Sequence, residues 1–402
     1  MKKEDVSGVI VYLLIMILAV VFGLTVLKDH QADSYFNSQG LFILFIIISI
    51  VVGLVFNAAL FELAHIAGAK VGGYKVLSTS ILGLTFYKNE ENKTKFKFAS
   101  YEGLTGETKI LPDYESKKVI NKDGTKKEPS PMAFLWFGTL FFVVEIIINI
   151  SAFVILNGKA SAMKDISDQR ALISDCAYLL LIIAVIGFMI LIYNILPFKL
   201  DSMTDGYRLT LVSNPKNKVA FNELLRVEHE VELGNKDVEI KTFDEITNFT
   251  ADLNLNKVYV LLDKKQYKEA EELIDQIINS KEDVSEKTYL RAKAQKIFID
   301  IMTMDFDQAK EAYKNSVPVA ESRELSNDVS MASIRAYLLI SGLFDKSRSE
   351  CFVAINKVKK AFKATPKSRQ KVELELFNIA LQKVIDVHPD WELQDYILTE
   401  SK

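Results

Sequence analysis

The stretch "NAALFELAHIAGAK", residues 57–70, decides how the chain is read. It continues a long apolar run and then sets Glu62 and His65 three residues apart, with Phe61 directly before the glutamate. On a helix, positions three and four apart share a face, so Phe61 and His65 stack on one side with Glu62 beside them. A glutamate and a histidine at this spacing are common on soluble helices. In a helix that crosses a bilayer they are not, because ionisable groups there are costly and usually mark function.

The surrounding composition decides which kind of helix this is. The 402 residues leave room for two or three domains, and 49% of them are apolar. A net charge of −3 excludes a dedicated polyanion partner, so no nucleic acid is expected. Cys176 and Cys351 are too few and too distant for a disulfide framework or a cysteine metal knuckle. The long apolar runs lie in the first half, whereas the second half is rich in Lys and Glu. The two halves are suited to different solvents.

Four apolar runs, 8–27, 41–66, 132–156 and 176–198, reach the roughly 20 residues that a bilayer crossing takes. The first exceeds the ~7–15 apolar residues of a signal peptide and no small-x-small cleavage site follows, so 1–40 reads as a retained anchor with a short external loop. The segment 67–131 carries twelve lysines, whereas the loops 28–40 and 157–175 hold only Lys28, Lys159, Lys164 and Arg170. The positive-inside rule then predicts a multi-pass protein of the cell membrane with the 67–131 insert and both termini cytoplasmic. In that topology "FELAH" and "NILPFKLDSMTDG" (194–206) occupy the same ends of the second and fourth spans. The two clusters can meet although about 140 residues separate them in sequence.

Two imidazoles at i and i+4 with a glutamate at i+1 form the His-Glu-x-x-His zinc pattern, in which the glutamate serves the metal-bound water as general base. Here His65 and Glu62 are present and Phe61 takes the place of the first histidine. Together with Asn194, Pro197 and the later Asp205-Gly206 pair, residues 41–210 resemble the site-2 protease family of intramembrane zinc metalloproteases. That family joins His-Glu-x-x-His to a later Asn-x-x-Pro and Leu-Asp-Gly. The resemblance implies a zinc metalloendopeptidase with Glu62 as catalytic acid/base, His65 and Asp205 as metal ligands, and Asn194 as a substrate-binding helper. The Asp-Gly falls later after Pro197 than in the commonest family pattern, which leaves Asp201 as the alternative ligand. Asp205 is preferred because Gly206 follows it, and a glycine permits a tight backbone turn.

Phe61 is the larger departure, since phenylalanine has no lone pair for zinc. Two protein ligands remain where three are usual, so zinc should be weak or absent and the chain inactive or nearly so. A natural pseudoprotease and an inactivating substitution in a working protease both fit. The rival reading is a non-catalytic adaptor that binds transmembrane peptides and cytosolic partners. The membrane-embedded partners implied are a transmembrane peptide or protein substrate and lipid.

Within the insert, the period-two alternation of "TKFKFASY" after "NEEN" predicts a membrane-proximal β-hairpin. The resemblance suggests a sheet edge near the active site, able to pair with an unwound substrate strand. Glu145, with Asn149 one turn later, lies mid-span. It is expected to be neutral and hydrogen-bonded to Asn149 or a neighbouring helix, with water access or substitute ligation as alternatives. His30, His229 and His388 read as bystanders.

A linker at 211–242 precedes a helical pattern over 243–402. Tyr267/Ala270, Phe306/Ala309 and Phe344/Ser347 repeat an aromatic–small pair at intervals of 39 and 38 residues. This resembles tetratricopeptide-type helical hairpins, whose period is nearer 34, and implies a solenoid whose concave face holds a cytosolic protein or peptide. A plain helical bundle is the alternative. The expected fold class is mainly α: a polytopic membrane protein with four transmembrane helices, a β-hairpin beside the membrane and a C-terminal cytosolic α-helical repeat domain.

Overall fold

A 34-residue helix, α3 (Gln39–Gly72), carries the decisive stretch without a break. The computed structural model of the chain describes residues 3–88, 93–98, 105–120, 124–163, 168–197, 204–243 and 245–399. The chain is mainly helical and divides into two units, Met1–Lys218 and Val219–Lys402.

In the first unit α1 (Lys3–Phe22) runs through a π-helical turn, Gly23–Leu27, into the short α2 (Lys28–His30). After α3 and a small sheet come α4 (Pro131–Ala162), α5 (Asp168–Ile195) and α6 (Asp205–Val212). Four helical stretches, Gly8–Asp33, Gln39–Gly72, Pro131–Ala162 and Asp168–Ile195, are long and apolar enough to cross a membrane. The first three each contain one of the apolar runs, and the fourth covers 176–195 of the run 176–198. Their outer faces leave side chains such as Ile47, Ile147 and Val154 more than half exposed, as lipid-facing residues should be.

The extent of α3 differs from the expected span of 41–66. At 1.5 Å per residue it is about 50 Å long, more than the ~30 Å hydrocarbon core. Glu62 and His65 therefore lie within the rod and not at its tip. The helix stops where Gly73 adopts φ +87° and its N–H bonds Ala69 O, a left-handed cap that glycine takes without strain. The chain turns at once into β1.

The expected hairpin is part of a larger sheet. Strands β1 (Tyr74–Ile81), β2 (Leu84–Lys88), β3 (Thr94–Phe98) and β4 (Gly106–Pro112) form an antiparallel sheet in the order β3-β2-β1-β4. Phe86 faces Phe96, and Leu84 faces Phe98, across the β2–β3 pair. The "NEEN" stretch lies outside the described residues. Leu82 and Gly83 join β1 to β2 with φ of 47° and 89°, the left-handed pair that a two-residue hairpin turn requires. A leucine there gives no turn signal, and β1 ("YKVLSTSI") is too polar to stand out.

The second unit holds α8 (Asn248–Asp263), α9 (Tyr267–Asn279), α10 (Glu286–Thr303), α11 (Phe306–Ser316), α12 (Val319–Asn327), α13 (Met331–Leu339), α14 (Arg348–Ala364) and α15 (Lys367–Val387). The division between units falls within α7 (Pro215–Glu232). Neighbouring helices α8/α9, α9/α10, α10/α13 and α13/α15 pack on one another around one apolar core. Tyr267 and Phe306 each open a helix, α9 and α11, with Ala270 and Ala309 buried one turn on. The third pair is out of register: Phe344 ends a π-helical turn, Ile340–Phe344, and Ser347 only N-caps α14. Its ring instead stacks on Tyr313 and meets Phe306 edge-on, at centroid distances of 5.2 and 5.9 Å. The short α12 also interrupts the two-helix rhythm.

Candidate active site

The geometry starts from α3. Small residues let its neighbours approach, as at Gly68, whose missing side chain leaves room for Phe137 and the carbonyl of Ala133 on α4. On the turn between residues 61 and 65, three side chains are buried together. The Phe61 ring meets the His65 ring edge-on at 4.4 Å and lies 5.4 Å from Phe142 of α4. It forms an apolar layer with Phe142 and Ile190.

His65 is held at both ring nitrogens. Nδ1 is 3.2 Å from the carbonyl oxygen of Phe134 on α4, and Nε2 is 3.1 Å from Asp205 Oδ2. A carbonyl can only accept, so Nδ1 carries the proton of the Phe134 contact. Asp205 also accepts a hydrogen bond from Asn194 Nδ2 at 2.7 Å, and its own N–H donates to Asn194 Oδ1 at 3.3 Å. Burial works against ionisation of Asp205, but His65, Arg208 and Asn194 hold its carboxyl below the usual range.

Asp205 is the first residue of α6. Thr204 caps that helix by accepting from Tyr207 N–H at 3.2 Å and donates its hydroxyl to Leu196 O at 2.7 Å. Gly206 differs from the expected role. Its backbone is helical, not left-handed. A Cβ there would stand 2.0 Å from the carbonyl oxygen of Ile195, so glycine is needed because two main chains touch. Asp201, the alternative ligand, lies outside the described residues.

Glu62 takes a different direction from His65. It is 1% exposed, and its Oε2 accepts from Thr108 Oγ1 of β4 at 2.6 Å. Gly106, at the start of the same strand, leaves space beside Glu62 Oε1. Because β4 is an edge of the sheet, its outer side is not paired to another described strand. The structure thus brings His65, Asp205 and Asn194 into direct contact and ties Glu62 to the sheet. Thr108 and the Phe134 carbonyl were missed in the sequence. Alternation along "GETKI" marks Thr108 as inward-facing, but nothing local links it to a helix 46 residues earlier.

The described residues alone do not make up a catalytic zinc site. Such sites use three protein donors with a fourth position left for water. Among the described residues two donors of the implied set are present, and they already bond each other. The position that the resemblance gives to a first histidine is Phe61, whose ring offers no donor. Among the described residues no group of three or more His, Cys, Asp and Glu side chains is placed to hold a metal.

Two other histidines are more than loop residues. His30 is buried, with Nε2 2.8 Å from Asp175 Oδ1 and its ring stacked on Tyr178 at 3.6 Å. Asp175 also accepts from Tyr35 N–H at 3.0 Å, fastening the 28–40 loop to the start of α5. His388 stacks on Trp391 at 3.9 Å. No protein-family model, no curated protein and no solved structure matches this chain.

Proposed function

We propose that the first unit is a site-2-type intramembrane protease scaffold that binds a membrane-embedded peptide without hydrolysing it, because one zinc-ligand position is phenylalanine. The observation that carries this reading is the 3.1 Å contact between His65 Nε2 and Asp205 Oδ2. It joins the two motifs of the resemblance. Phe61 supports the non-cleaving form: its ring fits the notch over Gly138 and completes an apolar layer with Phe142 and Ile190. The place of β4 at the end of the strand order, with its Thr108 bonded to Glu62, supports strand addition as the binding mode. An unwound peptide loses its helical hydrogen bonds, and a strand at the margin of a sheet is where replacements are offered.

In the same reading the lysine-rich insert and both termini face the cytoplasm, and the second unit is a helical array that recruits a cytosolic partner. The intact machinery around Phe61, with Glu62 on Thr108 and Asp205 on Asn194, supports a second form of the proposal, a protease inactivated at one position.

The test is restoration. Phe61→His supplies the third donor, and the variant is expected to bind zinc and to cleave a co-expressed membrane substrate. Glu62→Gln in that background should abolish cleavage while zinc stays bound. If the unchanged chain cleaves the substrate, the non-cleaving reading is wrong. If Phe61→His binds no more zinc than the parent, the site assignment is wrong.

A further inference from the structure

Beyond the Phe61–Phe142–Ile190 layer, one turn further from His65 along α3, lies a second buried polar group. Asn57 is fully buried, and its Nδ2 donates to Gly53 O at 2.9 Å and to Ile183 O of α5 at 3.1 Å. Both amide hydrogens are therefore committed, which fixes the orientation of the amide. Glu145 of α4 is 6% exposed. Its Oε1 accepts from Asn149 Nδ2 at 2.5 Å.

Two oxygens remain without a hydrogen-bond partner, Asn57 Oδ1 and Glu145 Oε2. They converge. Gly187 of α5 has no side chain, and the point where its Cβ would stand is 2.6 Å from Glu145 Oε2 and 2.8 Å from Asn57 Oδ1. Two acceptors facing each other in a dry interior would each lose a hydrogen bond, and an unpaired ionised carboxylate there would cost still more. The groups that α3 and α5 turn toward this point are Asn57 and Gly187, and α4 adds Asn149. None carries a charge. The next ionisable side chains along the three helices are Glu62, Lys159 and Tyr193.

We infer that Glu145 binds a proton at Oε2 and donates it to Asn57 Oδ1, making a neutral bolt that fastens α4 to α3 while Asn57 fastens α3 to α5. One proton satisfies both orphaned oxygens. A bound metal cation is the competing occupant, but two oxygens and a single negative charge fall short of the six or more ligands that hard cations such as calcium take. The inference is independent of the ligand set at Phe61. It concerns how the three helices are held and not what they bind.

The experiment is infrared difference spectroscopy on the full chain in lipid vesicles at neutral pH. Wild type minus Glu145→Gln is expected to show the carbonyl stretch of a protonated carboxyl. Asn57→Leu should move that band to higher wavenumber, because the acid loses its acceptor. Glu145→Gln, whose amide N–H can still donate to Asn57, should melt close to wild type, whereas Glu145→Leu should melt lower. A carboxylate band in place of the protonated one would overturn the inference, as would a melting temperature that rises with added sodium. Equal melting of the Gln and Leu variants would overturn it too.

Discussion

His65 Nε2 and Asp205 Oδ2 stand 3.1 Å apart, closing a gap of 140 residues between the third and sixth helices. Both side chains are buried, and each has further partners: Phe134 O for the imidazole and Asn194 for the carboxylate. The pair is therefore satisfied by protein groups alone. Removing one member leaves the other buried with only its remaining partners.

That asymmetry predicts the behaviour of single and double variants. His65→Ala should destabilise the chain by about 3–5 kcal/mol, as for other buried pairs left with one charge. Asp205→Asn keeps a hydrogen-bonding group at the same place and should cost less. The double change His65→Leu/Asp205→Leu should recover part of the loss. Thermal unfolding in one detergent, compared across the four proteins, reads this directly.

Membrane sidedness gives a labelling pattern. Lys159→Cys, near the end of α4, should react with an impermeant maleimide on intact cells. Lys126→Cys, in the lysine-rich insert, should react only after permeabilisation, with both variants made in a Cys176→Ser background because Cys176 is exposed. Cys351 is a silent internal control, since burial pushes its thiol up to about 12. Labelling of Lys126→Cys from outside would invert the proposed topology.

The second unit contains a fully buried arginine. Arg335 Nη1 donates to Glu373 Oε2 at 2.6 Å and Nη2 to Gln295 Oε1 at 2.7 Å, and the guanidinium lies over the Phe298 ring. Glu373→Ala leaves that cation unpaired and should destabilise the chain by about 3–5 kcal/mol. Arg335→Met with Glu373→Leu should be near neutral. Chemical denaturation followed by circular dichroism distinguishes the two outcomes.

Asp300 gives a pH signature outside the membrane helices. Burial raises its carboxyl from 3.8 to about 6, against the attraction of Lys296. Between those values the folded chain holds a proton that the unfolded chain has lost. Stability therefore falls as pH rises from about 4 to 6, by roughly 2–3 kcal/mol at 1.4 kcal/mol per unit. Asp300→Asn should flatten that part of the melting curve, measured at intervals of pH with the full chain.

How much of this was legible in the sequence depends on the range of the forces involved. The four helices long and apolar enough to cross a membrane follow from apolar runs, because lipid demands an uninterrupted stretch. The approach of the two polar clusters follows from placing both at the same end of their helices. The true length of α3 does not, since its last turns, "IAGAKVG", are mostly small residues with one lysine and pack on the sheet that Gly73 introduces. Thr108 was invisible because a hydroxyl on an edge strand becomes meaningful only when a helix delivers Glu62 to it. The role of Gly206 was misread for a similar reason: local logic offers a turn, whereas the reason is the carbonyl of Ile195 pressed against it. The repeat in the second unit was legible twice. The third expected pair, Phe344/Ser347, does not follow the other two, because Phe344 closes one helix and does not open the next.

The contact at Gly206 has one more consequence. Because main chain rests on main chain there, the height of the Asp205 carboxylate is set by the backbone and owes little to nearby hydrophobic packing. A single methyl group at position 206 would lift the acid away from the His65 imidazole.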